Sequence, residues 1–161
     1  MPIPEFVAAL RARVGSDPLW LPGVTGVVLD DADRVLLVRR ADSGRWALVS
    51  GIVEPGEHPA VGLARELMEE THVVAEVEGL AYLSVTPEVV YPNGDRARYL
   101  DATFLCRYVS GTAAVGDDEA TDVGWFALDE IPEDLSASSR DRLAHALAFR
   151  ADPAAGTHFT R

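Results

Sequence analysis

Between Gly51 and Val73 the chain reads GIVEPGEHPAVGLARELMEETHV, and the run Arg65-Glu66-Leu67-Met68-Glu69-Glu70 sets three carboxylates within five positions. A fourth, Glu57, follows the turn Glu54-Pro55-Gly56. An α-helix advances about 100° per residue, so side chains three and four apart share a face. On a helix over this run, Glu66, Glu69 and Glu70 project together. Like charges at that spacing repel by roughly a few tenths of a kcal/mol per pair. Solvent, Arg65 beside Glu69, or a metal ion has to offset that. Carboxylate oxygens with no cysteine pair nearby suit a hard cation, Mg²⁺ or Mn²⁺, rather than zinc. Mg²⁺ takes few protein carboxylates and shares its other positions with water and substrate phosphate, so the chemistry indicated is on a phosphate or diphosphate. Taken singly, the residues are ordinary: a solvated glutamate face, a helix-dipole partner in Glu57, a surface ion-pair residue in Arg65. Only their joint spacing favours the cation.

The element that must position them is a helix from Pro59 to about Thr71. Pro59 suits the first helical position, where its missing N–H is no loss. Gly62 falls on the carboxylate side and leaves room above it. Ala60, Val61, Leu63, Ala64, Leu67 and Met68 are expected to fill the opposite, core-facing arc.

The spacing resembles the Nudix box, G-x5-E-x7-R-E-U-x-E-E-x-G-U with U aliphatic. Gly51, Glu57, Arg65, Glu66, Leu67, Glu69, Glu70 and Val73 match, and His72 replaces the final glycine. A glycine just past a helix commonly adopts a left-handed conformation. His tolerates positive φ better than most side chains, so a modest stability cost is expected there. A re-routed helix end, which would shift Glu70, is the alternative. The resemblance implies an α/β/α sandwich with a mixed sheet and Mg²⁺-dependent hydrolysis of a diphosphate. It implies metal ligation by Glu66, Glu69, Glu70 and the carbonyl of Ser50, with Gly51, Glu57 and Arg65 holding the turn against the helix and a direct phosphate contact as the alternative for Arg65. It also implies a further carboxylate from a later loop. Glu119 of Asp117-Asp118-Glu119, shortly before Val123-Gly124-Trp125-Phe126, is the candidate general base or extra ligand, and a solvated acidic loop is the bland reading.

The remaining sequence fits one domain over 1–161, with an N-terminal helix and connector over 1–18, a core over 19–150 and a tail over 151–161 that frays. No apolar run approaches a membrane span, and no basic-then-apolar signal peptide opens the chain. The lone cysteine, Cys106, lies in a strand-like setting and reads as a structural thiol in a reducing cytoplasm. A net charge of −12 without an arginine stripe argues against nucleic acid as partner. It leaves a small nucleotide open, because a bound cation brings its own positive charge.

In order, the expected elements are a helix over Ile3–Val14 with Phe6, Leu10 and Val14 on one side and a connector over Leu19–Gly23. A hairpin of Val24–Leu29 and Arg34–Arg39 follows, then an extended Trp46–Val53 feeding the box helix. After it come a strand from Val73 to Thr86 interrupted by Gly79, a loop over Pro87–Arg96, and a strand over Arg98–Val109. An acidic loop over Gly111–Asp122, a strand over Val123–Leu128 and a helix over Ser136–Arg150 complete the order. The N-terminal helix reads either as a homodimer contact, common in the resembled family, or as a cover for one face of the core.

Substrate contacts are less legible. Trp46, Tyr82, Tyr91, Tyr99 and Trp125 could each stack on a base, though a packed strand aromatic is the commoner fate. Arg39 or Arg40 could reach a phosphate. The family markers downstream, a Pro for ADP-ribose hydrolases and a Tyr for dinucleoside polyphosphate hydrolases, both find a match, in Pro87 and Tyr91. The favoured function is hydrolysis of a nucleoside diphosphate linked to another moiety, of ADP-ribose or nucleotide-sugar type. A house-cleaning (d)NTP pyrophosphatase and a nucleotide-binding sensor without turnover are the alternatives.

Overall fold

A computed structural model describes residues 3–160. In chain order the elements are α1 (Glu5–Val14), β1 (Leu19–Leu29), β2 (Arg34–Arg40), β3 (Trp46–Ala47), β4 (Val49–Ile52), α2 (Pro59–Thr71), β5 (Val74–Val85), β6 (Val89–Val90), β7 (Arg96–Ser110), β8 (Ala120–Ala127) and α3 (Ala137–Ala151). A short 3₁₀ turn (Pro153–Ala155) and β9 (His158–Phe159) end the described chain. The strands form one mixed sheet in the order β3-β2-β1-β7-β5-β9, with β4 on β1, β6 on β7 and β8 on β2. Its spine is the parallel pairing of β1 with β7, from Leu19 opposite Ala97 to Leu29 opposite Arg107.

Side chains alternate across a strand, and here both faces are apolar. Val24, Val28, Leu36 and Val38 point to one side and pack with Leu63 and Leu67 of α2. Val27, Leu29, Val35 and Leu37 point to the other and pack with Leu143 and Ala146 of α3. The result is the expected α/β/α sandwich. A smaller cluster of Val7, Leu21 and Ala97, with Phe6 and Tyr99 at its edge, lies under α1. No helix among the described residues is long and apolar enough to cross a membrane.

Several expected boundaries shift. Leu19–Gly23 is not a connector but the start of β1, because β7 supplies pairing along its whole length. Gly79 does not break β5. The register shifts there, and a side chain at that position would collide with the Phe149 ring of α3, so the glycine marks a close approach. On α1 the packed side chains are Val7 and Phe6, whereas Leu10 and Val14 are exposed. The segment after Asp152, expected to fray, carries β9, which runs parallel to β5 with His158 opposite Tyr82, and Thr157 donates its hydroxyl to the Leu80 carbonyl at 2.7 Å. The sheet edge offered by β5 holds it there.

Candidate active site

Helix α2 starts and stops where the sequence indicates, with Pro59 in its first turn and His72 as C-cap at φ 57°, ψ 19°. Its buried face differs from expectation. Gly62, Leu63, Glu66, Leu67, Glu70 and Thr71 are buried, while Val61 and Met68 are exposed. The glutamates therefore do not oppose the core stripe but lie beside it. Glu66 is 0% exposed and Glu70 2%. Glu69, one residue earlier than Glu70 and about 100° around the helix, faces out with 47% of its side chain exposed. The expected triple is thus a buried pair one turn apart plus an outer member.

A single guanidinium ties Glu66, though not Glu70, to its surroundings. Arg65 donates to Glu57 through Nε and Nη2, both at 3.1 Å, and to the Ile52 carbonyl at 3.3 Å. Its Nη1 reaches Glu66 Oε1 at 3.0 Å and Glu69 Oε2 at 3.3 Å. The Glu57 carboxylate fills the space that Gly62 leaves and also accepts from the Glu54 amide at 3.1 Å. So Arg65, with Glu57, ties the exit of β4 to α2. Hydrogen bonding to Arg65 lowers the Glu57 pKa, and the same bond raises that of Arg65. Gly51, in β4 opposite Val24, has to be glycine because a Cβ there would overlap the Glu66 carboxyl carbon. Ser50 sits beside it, half-buried and paired with Thr25.

The later carboxylates arrive by capping. The last carbonyls of a helix lack intrahelical donors. Gly116 donates its amide to the Glu70 carbonyl at 2.9 Å, and Ala114 donates to that of Thr71 at 3.1 Å. A side chain at Gly116 would strike the Glu69 carbonyl, so the backbones touch there. The loop between β7 and β8 is thereby pressed onto the end of α2, and the residues that follow are Asp117, Asp118 and Glu119. The Asp117 carboxylate accepts from the Glu119 amide at 3.0 Å, and the Glu119 carbonyl accepts from Ala41 at 2.7 Å.

The electrostatics follow. Burial, then the charges of Glu119, Glu66 and Asp117, push the Glu70 carboxyl up to about 8, with Arg40 opposing. Burial raises Glu66 to about 7 against the pull of Arg65, with Glu69 and Glu119 adding to the rise. Glu66 Oε2 and Glu70 Oε1 are buried and meet no hydrogen-bond donor. Such groups cost free energy unless something satisfies them. Among the described residues no three acidic, histidine or cysteine side chains already stand in metal-holding array. The two orphaned oxygens are nonetheless hard donors, in an acidic surround, and a divalent cation fits them.

The candidate substrate contacts separate by face. Trp46 packs edge-to-face on Phe126 at 4.7 Å, in the cluster beneath α3 and across the sheet from the glutamates. Arg39 is exposed and donates to the Gly44 carbonyl at 2.9 Å. Tyr91 is exposed at the β6–β7 hairpin, its hydroxyl 2.5 Å from that of Tyr99. Tyr82 lies against His145, and Trp125 meets Tyr108 edge-on in the α2-side cluster. Burial lifts the Cys106 thiol to about 12, which fits a structural role. Arg40 is the residue that pattern reading undervalued. It follows Leu36 and Val38 on the α2-facing side of β2, opposite in direction to Arg39, and feels the charges of Glu119 and Glu70.

A model of the NUDIX domain matches residues 20–147, which include every residue placed at the site above. A MutT-like protein of Streptomyces ambofaciens is 37% identical over 132 residues, 82% of this chain and 80% of that protein. An ADP-ribose pyrophosphatase of Methanocaldococcus jannaschii is 28% identical over 113 residues, 68% of this chain and 63% of that enzyme. A MutT NUDIX hydrolase from Burkholderia pseudomallei, solved as a crystal structure, is 28% identical and superposes with a TM-score of 0.64, over 79% of this chain and 98% of that one. On the matched span and the box residues together, the chain belongs to the Nudix hydrolase family.

Proposed function

We propose that this enzyme hydrolyses a nucleoside diphosphate linked to a second group, of the ADP-ribose or nucleotide-sugar type, using Mg²⁺ or Mn²⁺. The observation that carries the reading is the pair of orphaned buried oxygens on Glu66 and Glu70. Those two carboxylates would hold the ion. Glu69, which has an exposed side chain with a 3.3 Å contact to Arg65, can exchange that partner to join them, and the Ser50 carbonyl is the remaining candidate. Bound there, the ion supplies positive charge to the phosphoryl oxygens and acidifies a water. Arg65 and Glu57 keep Glu66 aimed. The Glu119 carboxylate takes the proton as water oxygen bonds to phosphorus and the bridging P–O bond breaks, releasing the second phosphoryl group with its pendant. Similarity to an ADP-ribose pyrophosphatase supports the diphosphate class. The net charge of −12 favours a small nucleotide, bound through a cation, over nucleic acid. A buried, unreactive Cys106 suits the cytoplasm.

Purified enzyme with Mg²⁺ or Mn²⁺ should turn over ADP-ribose or a nucleotide sugar in a panel that also holds CDP-alcohols, dinucleoside polyphosphates and (d)NTPs. Turnover confined to triphosphates would shift the assignment to a house-cleaning pyrophosphatase. Binding without turnover would make the protein a sensor. Glu70→Gln is expected to lower kcat at least roughly a hundredfold, with the circular dichroism spectrum unchanged.

A further inference from the structure

The sheet brings one more charged group to the glutamates, and its present partner suggests its task. Arg40 ends β2 opposite Ala120, the residue after Glu119, and Ala41 donates its amide to the Glu119 carbonyl. Alternation along β2 puts Arg40 on the same face as Leu36 and Val38, the face that α2 covers, where Arg65 is already committed to Glu57, Glu66, Glu69 and the Ile52 carbonyl. The Arg40 guanidinium stays 34% exposed and does not form a close ion pair with Glu70. Instead it grips Asp42 fork-to-fork, Nε to Oδ1 at 3.0 Å and Nη2 to Oδ2 at 2.9 Å. Asp42 is 56% exposed, in a loop closed by bonds from the Arg40 amide to the Arg45 carbonyl and from Gly44 to the Arg40 carbonyl.

A phosphoryl group presents to guanidinium the same two-oxygen edge as a carboxylate, with more charge. We propose that Arg40 binds a phosphoryl group of the substrate diphosphate and that Asp42 is an internal competitor, standing in for those oxygens until substrate displaces it. This rests on the diphosphate reading above and names a specificity device for the same site. Displacing Asp42 frees an exposed carboxylate to water at little cost. A singly charged group offers less to replace it with, so the exchange favours diphosphates over monoanionic esters.

Methylene diphosphonate, a diphosphate mimic that cannot be hydrolysed, tests this by calorimetric titration of the full chain in Mg²⁺ buffer. Arg40→Gln should weaken its binding at least tenfold, Arg40→Lys should fall between, and Asp42→Asn should tighten it several-fold at low salt. Equal affinity of wild type and Arg40→Gln would overturn the proposal, as would weaker binding by Asp42→Asn. Wild type that does not bind the diphosphonate would overturn it too. Kinetics on the best panel substrate separate the two readings. Arg40-dependent binding without any turnover leaves this proposal standing and removes the hydrolytic one. Normal turnover with an unchanged KM in Arg40→Gln does the reverse.

Discussion

A carboxyl taken out of water keeps its proton to higher pH, and burial acts in this way on both Glu70 and Glu66, in the latter against the hydrogen bond from Arg65. Between the ordinary value of 4.5 and the folded values of about 7 and about 8, the folded chain therefore binds more protons than the unfolded one. Its stability falls as pH rises across that window and levels off above it. Urea unfolding in EDTA from pH 5.5 to 8.5 should show this decline, and Glu70→Gln should flatten it and unfold later than wild type at pH 8.5. Added Mg²⁺, which binds the deprotonated pair, should raise Tm at pH 8.5 and have little effect at pH 5.5. Residue types and spacing made Glu66, Glu70 and Arg65 legible through helical geometry, whereas Glu57, which precedes α2, was legible only through the spacing of the box. They gave no hint that Glu69 would face outward, since that depends on which side of α2 meets the sheet.

At the scale of elements, α2 was legible at both ends because its signals are local: proline in the first turn and a C-cap residue that accepts positive φ. His72 holds that left-handed conformation at a cost that glycine would not incur. His72→Gly is expected to gain roughly 1 kcal/mol, a rise of about 2–4 °C in Tm, with kcat unchanged, read by calorimetry and a steady-state assay. The loop over 111–119 was legible only as acidic. Its place depends on Ala114 and Gly116 satisfying carbonyls of a helix about forty residues earlier in the chain, a tertiary fact without local pattern. The same limit hid β1 between Leu19 and Gly23, which has strand character only because β7 lies alongside.

Across the whole molecule, alternation in β1 and β2 supplies two greasy faces, and that much of the sandwich could be read from the hairpin. Which aromatic belonged to which face could not, and Trp46, a weak candidate for base stacking, has the commoner packed fate, against Phe126 in the cluster beneath α3. The spine of the sheet has a further consequence, in time rather than space. Leu19 waits for Ala97 before it can pair, and chain closures of that reach slow folding into roughly the millisecond-to-second range. Stopped-flow refolding monitored by tryptophan fluorescence should fall there. A ribosome emitting this polypeptide must finish the seventh strand before the start of the first finds its mate, and the candidate site draws on pieces that emerge early, midway and late.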